Sequence, residues 1–383
     1  MKKVSVFFLL FCLFIPMAVQ AKGSESTEEV TKEDVQEDWM NQFDFSQIDE
    51  MLEDVFPDEK TTFRTMVTDL ISGETEFSFD LIKKMVLDRF FYEVESNRSG
   101  MIHLLLLVII AAVFSNFSGM FQSTQVSEIS FYMIYMLMIA ICLNNFRILI
   151  DAASANLEQL TGFMNLLGPV YFLAVAFATG SSTSVTFYQL VLLIIYLVEI
   201  FIQSFLIPLV QIYLIVRILG ELSPEIHLTK FAELLETIVS WSLKTLLAGV
   251  VGLNVIQGLL APAIDAVKRS VITKGSGAIP IIGDAISGTA EIVLGTAVLI
   301  KNGIGVAGMI ICLVICVAPV IQMAVTMLLY QLVAALIQPI SDKRMVDCVS
   351  AMADGTKMLL KVVFTTGVLF LLTIAIVATR TGG

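Results

Sequence analysis

Long apolar runs dominate the chain after Arg98 and decide what it can fold into. Seven windows are long enough to cross the ~30 Å hydrocarbon core of a bilayer as helices, and they cover residues 101–121, 131–150, 162–180, 185–220, 237–260, 303–340 and 357–378. Of the 383 residues, 57% are hydrophobic and only 15% are charged. A soluble fold of this length has no core large enough for so much apolar surface. The sequence therefore predicts an all-α, polytopic helical membrane protein whose first partner is the lipid bilayer.

The first 98 residues differ from the rest and predict an exported segment. Two lysines precede an apolar run over residues 4–15, and small residues follow at 19–21, a pattern typical of a cleaved signal peptide over residues 1–21. An uncleaved anchor is the alternative, but the run is shorter than the ~20 residues that a span needs. Residues 22–98 carry 21 of the chain's 35 acidic residues and 8 of its 23 basic ones. We expect this acidic segment to lie outside the cytoplasm.

The acidic segment divides into a polar tether and a set of short helices. Residues 22–40 are too polar to offset the entropy of ordering, and we expect them to be disordered. After Ser46, apolar residues recur at helical intervals in three sets, at 48–55, 63–70 and 81–90. So small a bundle has little core of its own. We therefore expect it to lean on the membrane or on an extracytoplasmic partner.

Two of the apolar windows are too long for one straight span. At 1.5 Å per residue, each would run about 54 Å or more, and each contains a proline, Pro208 or Pro319. A proline removes one helix hydrogen bond, so we interpret both as helix breaks that divide the window into a kinked span or a hairpin. Pro208 and Gln211 recur 111 residues later as Pro319 and Gln322, and Pro169 recurs at the same offset as Pro280. This recurrence suggests a duplicated membrane unit over about 163–260 and 274–378, as in many transporters.

Basic residues in the connections set the expected orientation of the membrane domain, residues 99–383. Positive-inside reasoning places Lys268, Arg269 and Lys274 in the cytoplasm, and it makes the same demand of Lys343 and Arg344. The first demand needs an odd number of crossings after residue 98. The second needs an even number between the two basic groups. The windows predict six to eight crossings in all.

One stripe of polar side chains inside an apolar window is the strongest candidate site. Gln189, Tyr196, Glu199 and Gln203 follow one another at intervals of seven, three and four residues and share one helix face. A charge near the bilayer centre costs at least about 2.5 kcal/mol and must face protein or water. The stripe therefore predicts a polar pathway through the interior of the bundle. The alternative is a protonated Glu199 that hydrogen-bonds neighbouring helices and serves only their packing.

Lys244 is the candidate charge partner of Glu199, because it is the only base deep in the window 237–260. Trp241, one turn earlier, favours another interpretation, in which the ring marks the interface and Lys244 extends to the headgroups. Arg217 fits the same description.

Two stretches between the windows predict helices at the membrane surface. Asp284 and Glu291 share a face in a glycine-rich stretch, which favours a re-entrant or interfacial helix over a clean span. Residues 221–236 combine apolar and charged positions after Ser223 and Pro224, which predicts an amphipathic helix lying along the membrane.

Catalytic and cofactor patterns do not appear in the sequence. The two histidines, His103 and His227, are far apart, and the chain has no HExxH motif, no paired Cys/His cluster and no phosphate-binding glycine loop. We predict no enzyme activity, no metal and no cofactor. The formal net charge of −12 argues against nucleic acid as a partner, since phosphate binding needs clustered bases.

Three stretches carry a resemblance to a known family: DLISGETEFSFDLIKKMV at 69–86, SWSLKTLLAGVVGLNVIQGLLAPAIDAVKRS at 240–270, and KGSGAIPIIGDAISGTAEIVLGTAVLIKNGIG at 274–305. In these stretches, and in the order of signal, acidic segment and polytopic body, the chain resembles the stage III sporulation protein AE family of endospore-forming bacteria. The likeness runs from residue 1 to about 380.

The resemblance implies a place for the protein as well as a role. It implies a multi-pass protein of the mother-cell membrane around the forespore, with residues 22–98 between the two membranes. It further implies a non-enzymatic component of a secretion-like channel complex, working with other membrane and extracytoplasmic subunits and a separate ATPase. A freestanding secondary transporter with a midplane site around Glu199 is the alternative that the residues themselves leave open.

Overall fold

The computed structural model of the protein describes residues 36–37, 39–55, 62–73, 87, 90–100, 124–179, 183–222, 228–275 and 287–379, with six further residues between 102 and 110. The named elements of these ranges are all helices: α1 (Ser46–Val55), α2 (Phe63–Ser72), α3 (Thr124–Thr179), α4 (Thr183–Phe201), a π-helical turn (Ile202–Leu206), α5 (Ile207–Leu222), α6 (Thr229–Gly275), α7 (Ser287–Ile337) and α8 (Lys343–Thr379).

The predicted class, an all-α polytopic membrane protein, is confirmed. Five helical segments in the described part of the chain are long and apolar enough to cross a membrane, with α4 and α5 counted as one. The predicted signal peptide and the window 101–121 lie wholly or largely outside the described residues, as does the third short helix of the acidic segment. The total of six to eight crossings stays a prediction.

The longest helix, α3, joins two windows that the sequence separates. It has 56 residues and would extend about 84 Å, so the polar residues 151–161 are helical and the separation of 131–150 from 162–180 is wrong. The polar stretch can continue the helix because its polar side chains include one that is hydrogen-bonded inside the bundle and others that are exposed on its surface. Asn156 is buried and hydrogen-bonded, whereas Glu158 lies on the surface.

Pro319 lies inside α7 and does not end it. A proline cannot donate to the carbonyl of the fourth residue before it, which here is Ile315. The Asn156 side-chain nitrogen of α3 donates to the Ile315 carbonyl at 2.9 Å. The freed acceptor is thus paired across the α3–α7 interface. The hairpin alternative is wrong at Pro319, because the helix runs on to Ile337, and a kinked span is the alternative that stays a prediction.

Pro208 changes the helix geometry without separating two helices. The turn Ile202–Leu206 before it is π-helical, and the Ile207 N–H donates to the Ile202 carbonyl. The chain then continues as α5. Wider turns of this kind are uncommon and often mark functional sites, and this one contains Gln203 of the polar stripe.

The two predicted surface helices are instead the first turns of long helices. Residues 229–236 open α6, in which Ala232 and Leu235 are buried against the bundle, so the apolar face of this stretch packs on protein. Glu291 belongs to α7, so a separate re-entrant helix there is wrong. Asp284 lies outside the described residues.

Helix α8 packs against α3, α5, α6 and α7. Small residues permit close contacts: a Cβ at Gly308 of α7 would lie 2.5 Å from Leu167 Cδ2 of α3, and a Cβ at Gly367 of α8 would lie 2.6 Å from Cys316 Sγ of α7. Such close approach is a common way for helices to associate in lipid, where no hydrophobic force drives them together.

The contacts also fix the direction of each helix. In α3 and α7, Asn145 meets Tyr330 and Asn156 meets Ile315, so the two helices are antiparallel. The α7–α8 turn at 338–342 therefore lies beside the start of α3, at one end of the bundle. Phe177 and Gly303 lie at the other end.

Because α7 is one helix, its two ends lie on opposite sides of a membrane that it crosses once. The cytoplasmic location of Lys268, Arg269 and Lys274 stays a prediction, as does that of Lys343 and Arg344. The Lys343 end is the cytoplasmic one if the acidic segment is exported, since that segment packs at the opposite end, as follows.

The acidic segment packs on the chain's own membrane helices. The Trp39 and Phe177 rings meet edge to face with centroids 4.9 Å apart, and a Cβ at Gly303 would lie 3.1 Å from Val67 Cγ1 and 2.9 Å from Ile71 Cγ1. The expected disorder of residues 22–40 is thus wrong for its last residues, since residues 39 and 40 are helical and Met40 is buried. The short helices lean on α3 and α7.

Hydrogen bonds connect α2 to α1 and to Met40, which precedes α1. The Phe63 N–H donates to Asp49 Oδ1 at 2.6 Å, and Arg64 donates to the Met40 carbonyl at 2.9 Å. Helix α2 ends at Ser72, where Gly73 has φ 74°, a conformation that favours glycine. The predicted boundary at Ser72–Gly73 is confirmed.

A disulfide between α2 and α7 tests whether the acidic segment packs on the membrane helices and whether this contact lies on the exported side of the membrane. In Val67→Cys/Gly303→Cys the two Cβ atoms come within disulfide range, and we expect the bond to form without added oxidant because exported compartments are oxidising. Non-reducing peptide mapping detects it. Val67→Cys paired with Gly295→Cys, two helical turns away on α7, is the control and should remain reduced. Failure to form the first disulfide even with oxidant would contradict the packing.

Candidate functional site

Two carboxylates from neighbouring helices come together within the apolar spans. Gln203, in the π-helical turn, donates through Nε2 to Glu158 Oε1 of α3 at 3.5 Å. Glu199 lies one turn before Gln203 on the same helix face, on the side of the helix that meets Glu158. We call Glu158, Glu199 and Gln203 the acid site. It exists because α3 and α4 are antiparallel and the wide turn presents Gln203 toward α3.

The acid site lies on the outer surface of the bundle. Glu158 is exposed, Glu199 and Gln203 are partly exposed, and Tyr196 of the same stripe is 58% exposed. Apolar side chains of α4, Leu193 among them, are exposed around it. The described helices therefore do not enclose the stripe, and the interior path that it predicts stays a prediction. Gln189 lies on the same helix, α4, and its side chain is outside the described part.

Lys244 does not neutralise the acid site within one chain. It is exposed on α6, and none of the ion pairs among the described side chains includes Lys244 or Glu199. Trp241, one turn earlier, is 70% exposed. An acidic surface and a basic surface thus coexist on different helices of the same bundle.

A second polar group joins α5, α6 and α8. Arg217 approaches Asp354 at 4.0 Å, and Lys361 approaches Glu236 at 3.6 Å, all four side chains being partly exposed. The Tyr213 hydroxyl lies in the field of both acids. Arg217 thus pairs with a neighbouring helix, which the expectation of a simple extension to the headgroups had missed. Each pair balances its own charge, so this group holds helices together and leaves no net charge to recruit a ligand.

The sequence alone does not identify several residues of these two polar groups. Glu158 falls in the polar stretch that separates two windows, where the sequence predicts a connection between helices. Asp354 and Lys361 precede the window 357–378 or open it, and their partners are more than a hundred residues away in sequence. Lys301 is fully buried in α7. A lone base in the run AVLIKNGIG was the signal that could have found it, since such residues are rare in spans.

The helices and the acid site define a class: a polytopic α-helical membrane protein that presents ionisable groups on the surface of its spans. The family model for Stage III sporulation protein AE matches residues 61–381, and the chain belongs to this family. A relative, "Stage III sporulation protein AE" of Bacillus subtilis (strain 168), is 24% identical over 312 residues, which cover 81% of this chain and 78% of the relative. No solved structure matches the chain. It is therefore a sporulation membrane protein, as the resemblance of the three stretches indicated.

Proposed function

We propose that the chain is a non-enzymatic, membrane-spanning subunit of the channel complex between mother cell and forespore. It would lie in the mother-cell membrane around the forespore, with residues 22–98 in the space between the two membranes. Other membrane and extracytoplasmic subunits would complete the complex, and a separate ATPase would energise it. Membership of the family supports the link to sporulation, and the five apolar segments support the membrane location.

The observation that carries this proposal is the outward position of the acid site. Carboxylates at this depth cannot face hydrocarbon at a tolerable cost, and the described helices of the chain do not enclose them. Protein or a water-filled path must therefore lie opposite Glu158 and Glu199. A subunit of a larger assembly meets this requirement, because neighbouring subunits cover the surface or line a path along it.

Glu199→Gln tests the role of the acid site. The variant keeps the shape and hydrogen bonding of the side chain but removes its charge, so we expect normal protein levels and a marked fall in heat-resistant spores. Glu233→Gln, the same change at an exposed position of α6, is the matched control and should sporulate normally. Spore counts and immunoblots of both strains provide the measurement.

Co-purification from sporulating cells complements the spore counts. We expect the wild-type chain to carry other membrane and extracytoplasmic proteins with it. Normal sporulation of Glu199→Gln together with a wild-type chain that purifies alone would contradict the proposal.

A freestanding secondary transporter is the second candidate. It is supported by the order of the helices, because a proline-containing helix followed by a short connection and a long helix occurs twice, as α4–α5 with α6 and as α7 with α8. Both units run in the same direction, which is one of the arrangements that transporters use. Solute uptake by the purified chain in liposomes, abolished by Glu199→Gln, would favour this function over the first.

A further inference from the structure

Among the described side chains, neither the acid site nor Lys244 has an ion-pair partner, and the two lie on different outer surfaces of the bundle. The acidic surface lies between α3 and α4 and presents Glu158 and Glu199. The basic surface is the exposed face of α6, where Lys244 follows Leu234, Thr237 and Trp241 at helical intervals. Of the five candidate spans, the one in α6 is the least buried in the bundle. Both surfaces lie in apolar spans, so each leaves a charge that needs a partner.

The two surfaces lie at the same depth. Asn156 and Thr366 line one small cavity together with Ile202, at the start of the π-helical turn, so the Glu158–Gln203 contact is level with residues 366–368 of α8. Glu199 is one turn before Gln203 on a helix antiparallel to α8. Its level is therefore near residue 370.

Lys244 reaches this level on the other side of the bundle. Helix α6 is parallel to α8, because α5 is antiparallel to both. The ion pair between Glu236 and Lys361 sets their register. Lys244 follows Glu236 by eight residues, or about 12 Å, which brings it level with residue 369. Lys244 and Glu199 thus lie at about the same depth in the bundle.

We propose that copies of this chain associate head to tail in the membrane, with Lys244 of one copy seated on the acid site of the next. One cation at the depth of two carboxylates satisfies both desolvated surfaces, which none of the ion pairs among the described side chains does. The contact joins different surfaces of the two copies, so it is heterologous and builds a ring if the rotation closes. The acid site is complete only when the neighbouring copy supplies its cation.

Cross-linking between two tagged copies tests the direction of this contact. One full-length copy carries Gln203→Cys and the other Ala248→Cys, an exposed position one turn after Lys244, and both are expressed in membranes of a non-sporulating bacterium, where the family's own partners are absent. A short bifunctional maleimide is expected to give the mixed dimer as the main product. Two controls should stay monomeric. In one, both copies carry Gln203→Cys; in the other, both carry Met133→Cys, near the start of α3 and far from the acid site.

Charge exchange tests the pairing itself. Lys244→Glu and Glu199→Lys are each expected to lower the cross-linked fraction at least about tenfold, since close charge pairs at interfaces contribute that much or more. The chain that carries both changes should recover it. Immunoblots of the membrane fraction show whether each variant accumulates normally.

Three outcomes would overturn the proposal. They are the absence of the mixed dimer, self-cross-linking of Gln203→Cys copies through a symmetric contact, and cross-linking of Gln203→Cys only in sporulating cells to a different protein. The last would assign the acid site to another subunit and leave the proposed function intact. Loss of sporulation in Glu199→Gln is a separate result, so the two proposals fail independently.

Discussion

Replacing Asn156 with leucine is expected to lower accumulation of the protein severalfold and to weaken its resistance to unfolding in detergent. The Asn156 amide supplies the hydrogen bond that Pro319 withholds from the Ile315 carbonyl, at a distance of 2.9 Å. Leucine fills a similar volume but leaves that carbonyl buried without a donor. The cost of such a group is about 1–3 kcal/mol, and lipid offers no water to reduce it.

Pro319→Ala shows whether the loss of stability in Asn156→Leu comes from the unpaired Ile315 carbonyl. Alanine restores the backbone N–H, so Asn156→Leu/Pro319→Ala should recover most of the stability that Asn156→Leu loses. Asn165→Leu, at an exposed position of the same helix, is the control and should accumulate normally. Thermal unfolding in detergent and immunoblots measure the four chains. A double variant as unstable as Asn156→Leu would show that the asparagine acts through some other contact.

Gly367→Ala is expected to disrupt the packing of α7 on α8. A Cβ at position 367 would lie 2.6 Å from Cys316 Sγ and 3.2 Å from Cys316 Cβ. The sulfur can rotate away but the Cβ cannot, so the two helices must move apart. Overpacking of this kind costs about 1–3 kcal/mol, and α7 and α8 make the most extensive contact among the described helices.

Placing the smaller residue at position 316 and the larger one at position 367 should restore the stability that Gly367→Ala loses. In Cys316→Gly/Gly367→Ala the atoms that collide are removed, at the smaller cost of about 1 kcal/mol for a glycine inside a helix. Gly249→Ala, where nothing lies within 4 Å, is the control and should be neutral. Unfolding in detergent compares the variants. If Gly367→Ala is as stable as the wild type, the close approach of α7 and α8 is wrong.

The class of fold could be predicted from the sequence because hydrophobic length and helical periodicity are local properties. The apolar windows, the helices around Ile48 and Phe63, and the end at Gly73 all follow from residues close together in the chain. The resemblance of three stretches also identified the family. These are the features for which neighbouring residues suffice.

The wrong predictions have one physical cause. In each case a contact with a residue far away in the sequence determines a structure that the local pattern alone does not predict. Pro319 predicts a break, yet Asn156, 163 positions earlier in the chain, supplies the missing donor. The polar residues 151–161 predict a connection, yet one of them is paired across an interface and another lies on the surface. The acid site depends on how α3 meets α4, and no pattern within either helix shows that Glu158 and Gln203 face each other.

The unbroken course of α3 joins the two ends of the bundle. At one end its Tyr132 ring lies 5.8 Å beneath the Arg344 guanidinium at the start of α8, and at the other its Phe177 ring meets Trp39 of the acidic segment. About 68 Å of helix separates these two aromatic residues, far more than the hydrocarbon of a bilayer. One continuous helix, with Pro169 inside it, thus connects the acidic segment directly to the start of α8.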